Sequence, residues 1–292
     1  MITIRTKKDF EGMDKAHGVF SGLTNDEYHS AKGYSRSDIL TILRSPGHWK
    51  YAKAHPSHDT AALAFGNAFH TLILEPDVFP DRYAMEPKDA AGNRPDKRTK
   101  DGKALWAEWE AANAGKGVIS PADMEALEGM RDALFSHPEA RQYSLESHLE
   151  MNELSIFSAN AGLDGPLKCR PDRIAGNVVL DVKTTKNAET DEIKRDALKY
   201  GYDIQAYLYL AITRQVGLNV SPRFAFVEKT APFGVKFYRP DSAFIDHGRQ
   251  RVHRAIDIIQ DCLQSGEWPV YGSEEETLSL PAWALRSYKE AV

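Results

Sequence analysis

The stretch from residue 167 to residue 185 constrains the fold most, because apolar and charged side chains alternate along it with the period of a β-strand. Residues 175–177 are Ala-Gly-Asn, which is typical of a tight turn, and the run over residues 178–182 then returns along the first strand. The sequence therefore predicts a β-hairpin whose second strand has an apolar face and a charged face.

Three charged side chains of this hairpin are predicted to converge. Asp181 and Lys183 share one face of the returning strand, since successive side chains of a strand point to opposite faces. Asp172 lies near the end of the first strand, where the turn brings it beside Asp181. Carboxylates suit Mg²⁺ or Mn²⁺, and a nearby lysine can orient the attacking water, which together favour phosphodiester hydrolysis. A surface salt-bridge cluster is the alternative interpretation.

Composition limits the class of protein. The chain has 292 residues, 42% hydrophobic and 27% charged, which allows one large domain or two small ones. No apolar run approaches the ~20 residues of a membrane span, and the N-terminus lacks the apolar core of a signal peptide. Two cysteines make neither a disulfide framework nor a four-cysteine metal site, so we expect a cytoplasmic protein without membrane association.

The formal net charge of −5 argues against a generally basic DNA-coating protein, so any contact with nucleic acid must come from a local basic segment. Residues 93–103 form the candidate, with the composition of a loop. Its five basic residues are Arg94, Lys97, Arg98, Lys100 and Lys103. A solvated loop and a segment that grips phosphate are both open interpretations.

Residues 60–74 are apolar on nearly all sides, which predicts a buried helix. Gly66 within it suggests that a neighbouring backbone approaches closely. His70 projects from the same helix. It is either a hydrogen-bonded core histidine or, if the helix packs on the charged sheet, a metal ligand.

Three further polar residues are candidates for the same site. Glu153 begins an alternating strand over residues 153–158 and could supply another acidic ligand. Residues 190–215 are predicted to form one long helix, in which Gln205 and Tyr209 lie on the same face because they are four residues apart. Contact with the predicted charged site would explain why Gln205 and Tyr209 carry polar groups on an otherwise apolar helix face. Ordinary packing of an amphipathic helix explains them almost as well.

No internal repeat or interdomain linker divides the chain, so we expect a single domain over residues 1–292. A mainly helical N-terminal portion, residues 1–150, would carry His70, and residues 151–292 would hold the core of sheet and helices. The predicted fold class is α/β (α+β), with a central mixed β-sheet flanked by helices.

Several short motifs follow one another along most of the chain. They are Tyr34–Leu40, Ser45-Pro46, Phe65–His70, Leu74–Pro76, Arg170–Ile174, Leu180–Thr185, Tyr200–Tyr209, Gly266–Pro269 and Leu280–Trp283. This ordered set resembles the RecE-like (exonuclease VIII type) phage and prophage exodeoxyribonucleases, in the RecB-like branch of the PD-(D/E)XK nuclease superfamily. The resemblance implies a restriction-endonuclease-like core.

The resemblance also implies roles for individual residues. His70, Asp172 and Asp181, with the Val182 carbonyl, would bind the metal, and Lys183 would be the catalytic lysine. Gln205 and Tyr209 match a QxxxY helix motif that supports the site and contacts the substrate. Two Mg²⁺ or Mn²⁺ ions per site are expected. The chain lacks both the cysteine quartet of iron–sulfur relatives and a helicase motif, which indicates the stand-alone nuclease type.

The implied activity is exonucleolytic digestion of linear double-stranded DNA from its ends, in the 5′-to-3′ direction. The 3′ single-stranded overhang would serve a single-strand annealing protein (RecT-like) in phage-type homologous recombination. A ring-shaped homo-oligomer is expected, since enclosure would hold the duplex in spite of the negative net charge. An endonuclease or junction-type nuclease of the same fold and a catalytically inactive DNA-binding recombination scaffold are the alternatives.

Overall fold

The computed structural model describes residues 3–11, 13, 17–55, 60–143, 151–159, 162–272, 275–281 and 284–285. Within these ranges the chain is a mixed α/β protein, as predicted. The α-helices are α1 (Lys7–Phe10), α2 (Asn25–Ser30), α3 (Arg36–Arg44), α4 (Pro46–Ala54), α5 (Ala61–Leu74), α6 (Phe79–Arg82), α7 (Lys100–Ala112), α8 (Pro121–Ser136), α9 (Pro138–Gln142), α10 (Thr190–Lys199), α11 (Tyr202–Gln215) and α12 (Ser242–Ser265).

The strands form three sheets. They are β1 (Ile4–Arg5), β2 (Gly18–Phe20), β3 (Tyr83–Met85), β4 (Gly117–Ile119), β5 (Ser155–Phe157), β6 (Lys168–Cys169), β7 (Arg173–Ala175), β8 (Val178–Thr185), β9 (Ser221–Glu228) and β10 (Val235–Tyr238). One sheet has the order β10-β9-β8-β7, a second the order β1-β2-β5-β6, and β3 pairs with β4. No described helix has the length and apolarity that crossing a membrane requires.

Strand β8 is the centre of the fold. It pairs antiparallel with β7 through a two-residue turn and parallel with β9, and the parallel connection runs through α10 and α11. Leu180 and Val182 are fully buried in the core formed with α5 and α8. Asp181, on the alternate face, contacts α11 instead. The predicted alternation of the hairpin is therefore confirmed.

The first strand of the predicted hairpin is interrupted, which corrects the prediction. β6 ends at Cys169 and pairs with β5 in one sheet, whereas β7 begins at Arg173 and pairs with β8 in the other. Pro171 lies between them and has no N–H to donate to a strand ladder. The break leaves Asp172 at the junction of the two sheets.

Strands from both sides of residue 150 share the second sheet. Strand β2, in the N-terminal portion, pairs antiparallel with β5. The predicted division at residue 150 thus does not coincide with a break in this sheet. The single domain over the whole chain stays a prediction.

The predicted helix over residues 190–215 is two helices. α10 ends at Lys199 and α11 begins at Tyr202, and Gly201 between them has φ +68°, in the left-handed region that favours glycine. The apolar period continues on both sides of the break, so periodicity alone did not reveal it. The change of direction brings the N-terminal end of α11 against β9, where Tyr202 stacks on Phe224.

A buried lysine ties α2 to the sheets. Lys168 on β6 is 1% exposed, and its ammonium group donates to the backbone carbonyls of Tyr28 at 2.7 Å, His29 at 3.2 Å and Ala31 at 2.6 Å. These carbonyls belong to the C-terminal end of α2, where helical partners are lacking. Lys168 therefore satisfies acceptors that the helix cannot.

Lys168→Met is expected to lower the free energy of unfolding by about 2–3 kcal/mol, because the substitution leaves several carbonyls without a donor. Urea unfolding followed by circular dichroism measures the change. Lys194→Met, at an exposed lysine of α10, is the matched control and should change stability by less than about 0.5 kcal/mol. Equal losses in the two variants would contradict the role given to Lys168.

Candidate active site

An open cleft of about 690 Å³ lies between β8, α2, α5 and α11. Seven of the side chains singled out from the sequence line it. They are His70, Glu153, Asp172, Asp181, Lys183, Gln205 and Tyr209. Residues more than a hundred positions apart in the chain thus meet in one cavity.

Asp181 is held by groups from its own strand and from α11. Its carboxylate accepts hydrogen bonds from Gln205 Nε2 at 2.7 Å and from the Tyr209 hydroxyl, and it forms an ion pair with the Lys183 ammonium. Gln205 Nε2 also lies 2.8 Å from the Tyr209 hydroxyl oxygen. Burial and the charge of Asp181 raise the pKa of Tyr209 well above its usual value, so the phenol keeps its proton. The QxxxY pair therefore fixes the orientation of this carboxylate.

Asp172 and His70 meet at the backbone of Val182. The Asp172 carboxylate accepts a hydrogen bond of 2.5 Å from the Val182 N–H, and His70 Nε2 lies 2.8 Å from the Val182 carbonyl oxygen. His70 Nε2 is also 3.8 Å from Asp172 Oδ2. Burial, together with the nearby charge of Asp181, raises the pKa of Asp172 to about 6. His70 is thus hydrogen-bonded at the charged sheet, and its role as a metal ligand stays a prediction.

Glu153 reaches the cleft from a bend before the strand and not from the strand itself, which corrects the predicted strand boundary. The strand begins at Ser155, and Glu153 has φ +52°, a rare conformation for a residue other than glycine. Its N–H donates to the Asp172 carbonyl at 3.1 Å. Burial and the charge of Asp172 raise the pKa of Glu153 to about 8. Such backbone strain is common at functional sites.

Among the residues that the structure describes, one group of side chains could bind a metal ion. His70, Glu153 and Asp172 each offer a ligand atom, and these atoms lie within 4.8 Å of one another. One imidazole nitrogen and two carboxylate oxygens fit a divalent cation. Asp181 is outside this group, because its carboxylate contacts Lys183 and α11. Glu153 is therefore a member of the group, and the role of Asp181 as a further metal ligand stays a prediction.

Lys183 is a nearly buried cation. Burial by itself would lower the pKa of Lys183, but the carboxylates of Asp181 and Asp172 outweigh burial and raise that pKa above the usual value. The side chain is only 16% exposed. Lys183 therefore remains an ammonium group at neutral pH and can donate hydrogen bonds into the cleft.

Sequence reasoning missed the role of Arg170. Its guanidinium donates to Ser155 Oγ at 2.7 Å and to the Leu23 carbonyl at 2.8 Å, which links β5 to the segment before α2. Its Nη1 is 3.9 Å from a carboxylate oxygen of Glu153. The signal was available, since Arg170 stands two residues before Asp172 in the same motif.

The helix that carries His70 differs from the prediction. A side chain at Gly66 would lie 3.7 Å from Thr184 Oγ1, which is ordinary van der Waals contact, so the predicted close backbone approach is wrong. The first half of α5 is largely exposed, with Leu63 at 52%, and burial begins near its C-terminal half. A uniformly apolar sequence cannot show which half of a helix is covered.

The basic residues of the 93–103 segment are absent from the described walls of the cleft. Three of them form local ion pairs, and the other two lie on the first turns of α7. The pairs are Arg94–Glu86 at 2.9 Å, Lys97–Glu110 at 3.4 Å and Arg98–Asp96 at 2.8 Å, and the α7 residues are Lys100 and Lys103. These contacts favour the solvated-segment interpretation. The DNA-binding role of the segment stays a prediction.

His70→Ala is expected to weaken the affinity for Mn²⁺ by about 10–100-fold, because the substitution removes one of the three clustered ligand atoms. Isothermal titration calorimetry measures the affinity. His253→Ala is the matched control, since His253 lies on α12 and contacts Tyr207 outside the cleft. Unchanged Mn²⁺ affinity with a lower melting temperature would identify His70 as a core histidine.

Comparisons with known proteins bear on the family and the fold of the chain. A family model described as a "PDDEXK-like domain of unknown function (DUF3799)" matches residues 35–280. A solved protein from Eubacterium rectale, described as a "putative exonuclease", aligns with a TM-score of 0.55 at 14% identity, covering 90% of this chain and 98% of that chain. At that identity the likeness shows the fold alone.

A phage-related exonuclease from Haemophilus somnus 129PT aligns at 15% identity over 81% of this chain and 97% of that chain. Its TM-score of 0.34 carries no argument. No protein of curated function matches the chain. The family match and the first alignment agree with the predicted PD-(D/E)XK type of fold.

Proposed function

We propose that this chain, which belongs to the PDDEXK-like DUF3799 family, is a metal-dependent deoxyribonuclease. The observation that carries the proposal is the convergence of Asp172, Asp181 and Lys183 beside His70 in one cleft. A surface salt-bridge cluster would be exposed, whereas Asp172 and Asp181 are 6% and 1% exposed. Buried carboxylates without a function would be costly to keep.

The proposed ions are Mg²⁺ or Mn²⁺, two per site. His70, Glu153 and Asp172 would hold one of them, and Asp181 with the Val182 carbonyl would complete the donor set. When bound, the metal supplies Lewis-acid polarisation of the scissile phosphate. Lys183, as an ammonium group, orients the attacking water and stabilises negative charge that develops at the phosphate. Gln205 and Tyr209 hold the Asp181 carboxylate in the orientation in which it pairs with Lys183 and can contribute to the metal donor set.

The substrate we propose is the end of linear double-stranded DNA, digested in the 5′-to-3′ direction in the manner of RecE-type enzymes. The 3′ overhang would pass to a RecT-like annealing protein in phage-type recombination. This part of the proposal is supported by the ordered motifs of the sequence, from Tyr34–Leu40 to Leu280–Trp283.

A homo-oligomeric ring is part of the same proposal. The formal net charge of −5 disfavours long-range attraction of DNA, so enclosure by several subunits would retain the duplex between successive cleavages. The segment 93–103 is the candidate for local contact with phosphate. Multi-angle light scattering should give a mass above that of a dimer, and a monodisperse monomer that digests processively would contradict the ring.

The test of the function uses three DNA substrates with Mg²⁺: linear duplex labelled at its 5′ ends, the same duplex labelled at its 3′ ends, and closed circular duplex. We expect early release of the 5′ label as short products, retention of the 3′ label in single strands, and intact circles. Asp181→Asn, which keeps the size of the side chain, controls for contaminating nuclease. Cleavage of circles would indicate an endonuclease, and binding without cleavage would indicate an inactive scaffold.

A further inference from the structure

We propose that Tyr202 is a positioning residue for Lys183, an inference that rests on the nuclease activity proposed above. Tyr202 is the first residue of α11, directly after the break at Gly201. The Lys183 ammonium nitrogen lies 5.3 Å from the centroid of the Tyr202 ring. The inferred role of the ring is to hold the amine against the carboxylates of the cleft.

One face of α11 contacts both functional residues of β8. Tyr202, Gln205 and Tyr209 are spaced by three and four residues, so they form one stripe along the helix. Gln205 and Tyr209 hold the Asp181 carboxylate, and Tyr202 flanks Lys183, two residues further along the same strand face. The stripe therefore extends the known helix motif by one aromatic residue.

The Tyr202 ring is fixed from behind by β9. Its centroid lies 5.7 Å from the ring of Phe224, with an interplanar angle of 30°, and 5.7 Å from the ring of Phe226. The parallel register places Phe224 beside Asp181 and Phe226 beside Lys183, so these aromatic rings share the charged face of the sheet. Phe226 in turn packs edge-on against Tyr238 of β10. Tyr202 cannot move away from Lys183 without disrupting this packing.

Lys183 is consequently held by two contacts. The Asp181 carboxylate and the electron-rich face of the Tyr202 ring both attract the ammonium group. A lysine side chain otherwise has many rotamers, because its four-carbon stem is flexible. An amine restricted in this way spends more of its time where the attacking water must be oriented. Removal of the ring should therefore lower turnover and leave substrate binding intact.

The kinetic test compares Tyr202→Leu with Tyr202→Phe on linear duplex. We expect Tyr202→Leu to lower kcat about tenfold, with KM for DNA and the half-saturating Mg²⁺ concentration within twofold of the parent. Tyr202→Phe keeps the ring and should retain at least half of the parent kcat. Tyr207→Leu is the matched control: the same change, on the same helix, at a half-buried tyrosine that contacts His253 of α12. Its kcat should stay within twofold.

Two kinetic results would overturn the inference. Equal losses in Tyr202→Phe and Tyr202→Leu would assign the effect to the hydroxyl group. Equal losses in Tyr202→Leu and Tyr207→Leu would assign it to general weakening of α11.

A second measurement does not depend on catalysis. The ε-methylene protons of Lys183, identified by their absence in Lys183→Ala, should show an upfield ring-current shift in NMR spectra of the parent and Tyr202→Phe, but not of Tyr202→Leu. If the parent digests DNA but its Lys183 ε-methylene signal is unshifted, the inference about Tyr202 is overturned and the nuclease proposal stands. A parent that digests no DNA in Mg²⁺ or Mn²⁺ overturns the nuclease proposal, and with it the role of Tyr202 in turnover.

Discussion

Lys183→Ala is expected to reduce DNA digestion by about 10²–10⁴-fold while the fold and the metal affinity are retained. The reason is that different residues of the cleft have different roles. The lysine would act on the attacking water, whereas the clustered ligands His70, Glu153 and Asp172 would bind the metal. Single-turnover digestion of end-labelled linear duplex measures the loss. Calorimetric titration with Mn²⁺ and circular dichroism measure what is retained.

The matched control for this prediction is Lys186→Ala. Lys186 is an exposed lysine just beyond the end of β8 and is not among the residues that line the cleft. Its removal takes away the same charge from the neighbouring surface, so digestion should stay within about twofold of the parent. Residual activity of Lys183→Ala within tenfold of the parent would refute the role assigned to Lys183.

Removal of divalent metal is expected to abolish digestion completely. Excess EDTA should stop the reaction, and Mg²⁺ or Mn²⁺ should restore it. Ca²⁺ should bind without supporting turnover, because it accepts more ligands at longer distances and positions water and phosphate poorly. Digestion of linear duplex in each metal, after dialysis against EDTA, measures the effect.

Competition between Ca²⁺ and Mg²⁺ is a second test of the metal requirement. If Ca²⁺ binds the same ligands, its addition to a reaction in Mg²⁺ should inhibit digestion, and His70→Ala should weaken both the activation by Mg²⁺ and the inhibition by Ca²⁺. Robust cleavage in EDTA would be incompatible with the proposed mechanism, since no metal-free route is offered by Asp172, Asp181 and Lys183.

Local periodicity predicted the charged face of β8 well. The alternation of Leu180 and Val182 with Asp181 and Lys183 needs only the two-residue period of a strand, and the contact of Gln205 with Tyr209 needs only the helical repeat. Both are properties of a few neighbouring residues. They could therefore be predicted before any long-range contact was known.

The remaining features depend on contacts between distant segments. No local pattern shows that β6 and β7, separated by Pro171, join different sheets, because the sheet that a strand joins is decided by its partners. Glu153 was placed on a strand since alternation cannot reveal a positive φ angle. Strands as short as β1 and β2 carry too few residues for a period to be recognised. Tyr202 was assigned no role beside Lys183, because its contacts depend on the packing of α11 against β8 and β9.

The parallel pairing of β8 with β9 has a consequence for synthesis on the ribosome. β8 and its hairpin partner β7 emerge before α10, α11 and β9, so the strand that carries Asp181 and Lys183 has an open edge until Glu228 has been added. Half of the eight residues of β8 are apolar, and an open strand edge is a template for intermolecular pairing. A nascent chain halted before β9 would therefore be prone to aggregate through the exposed edge of β8.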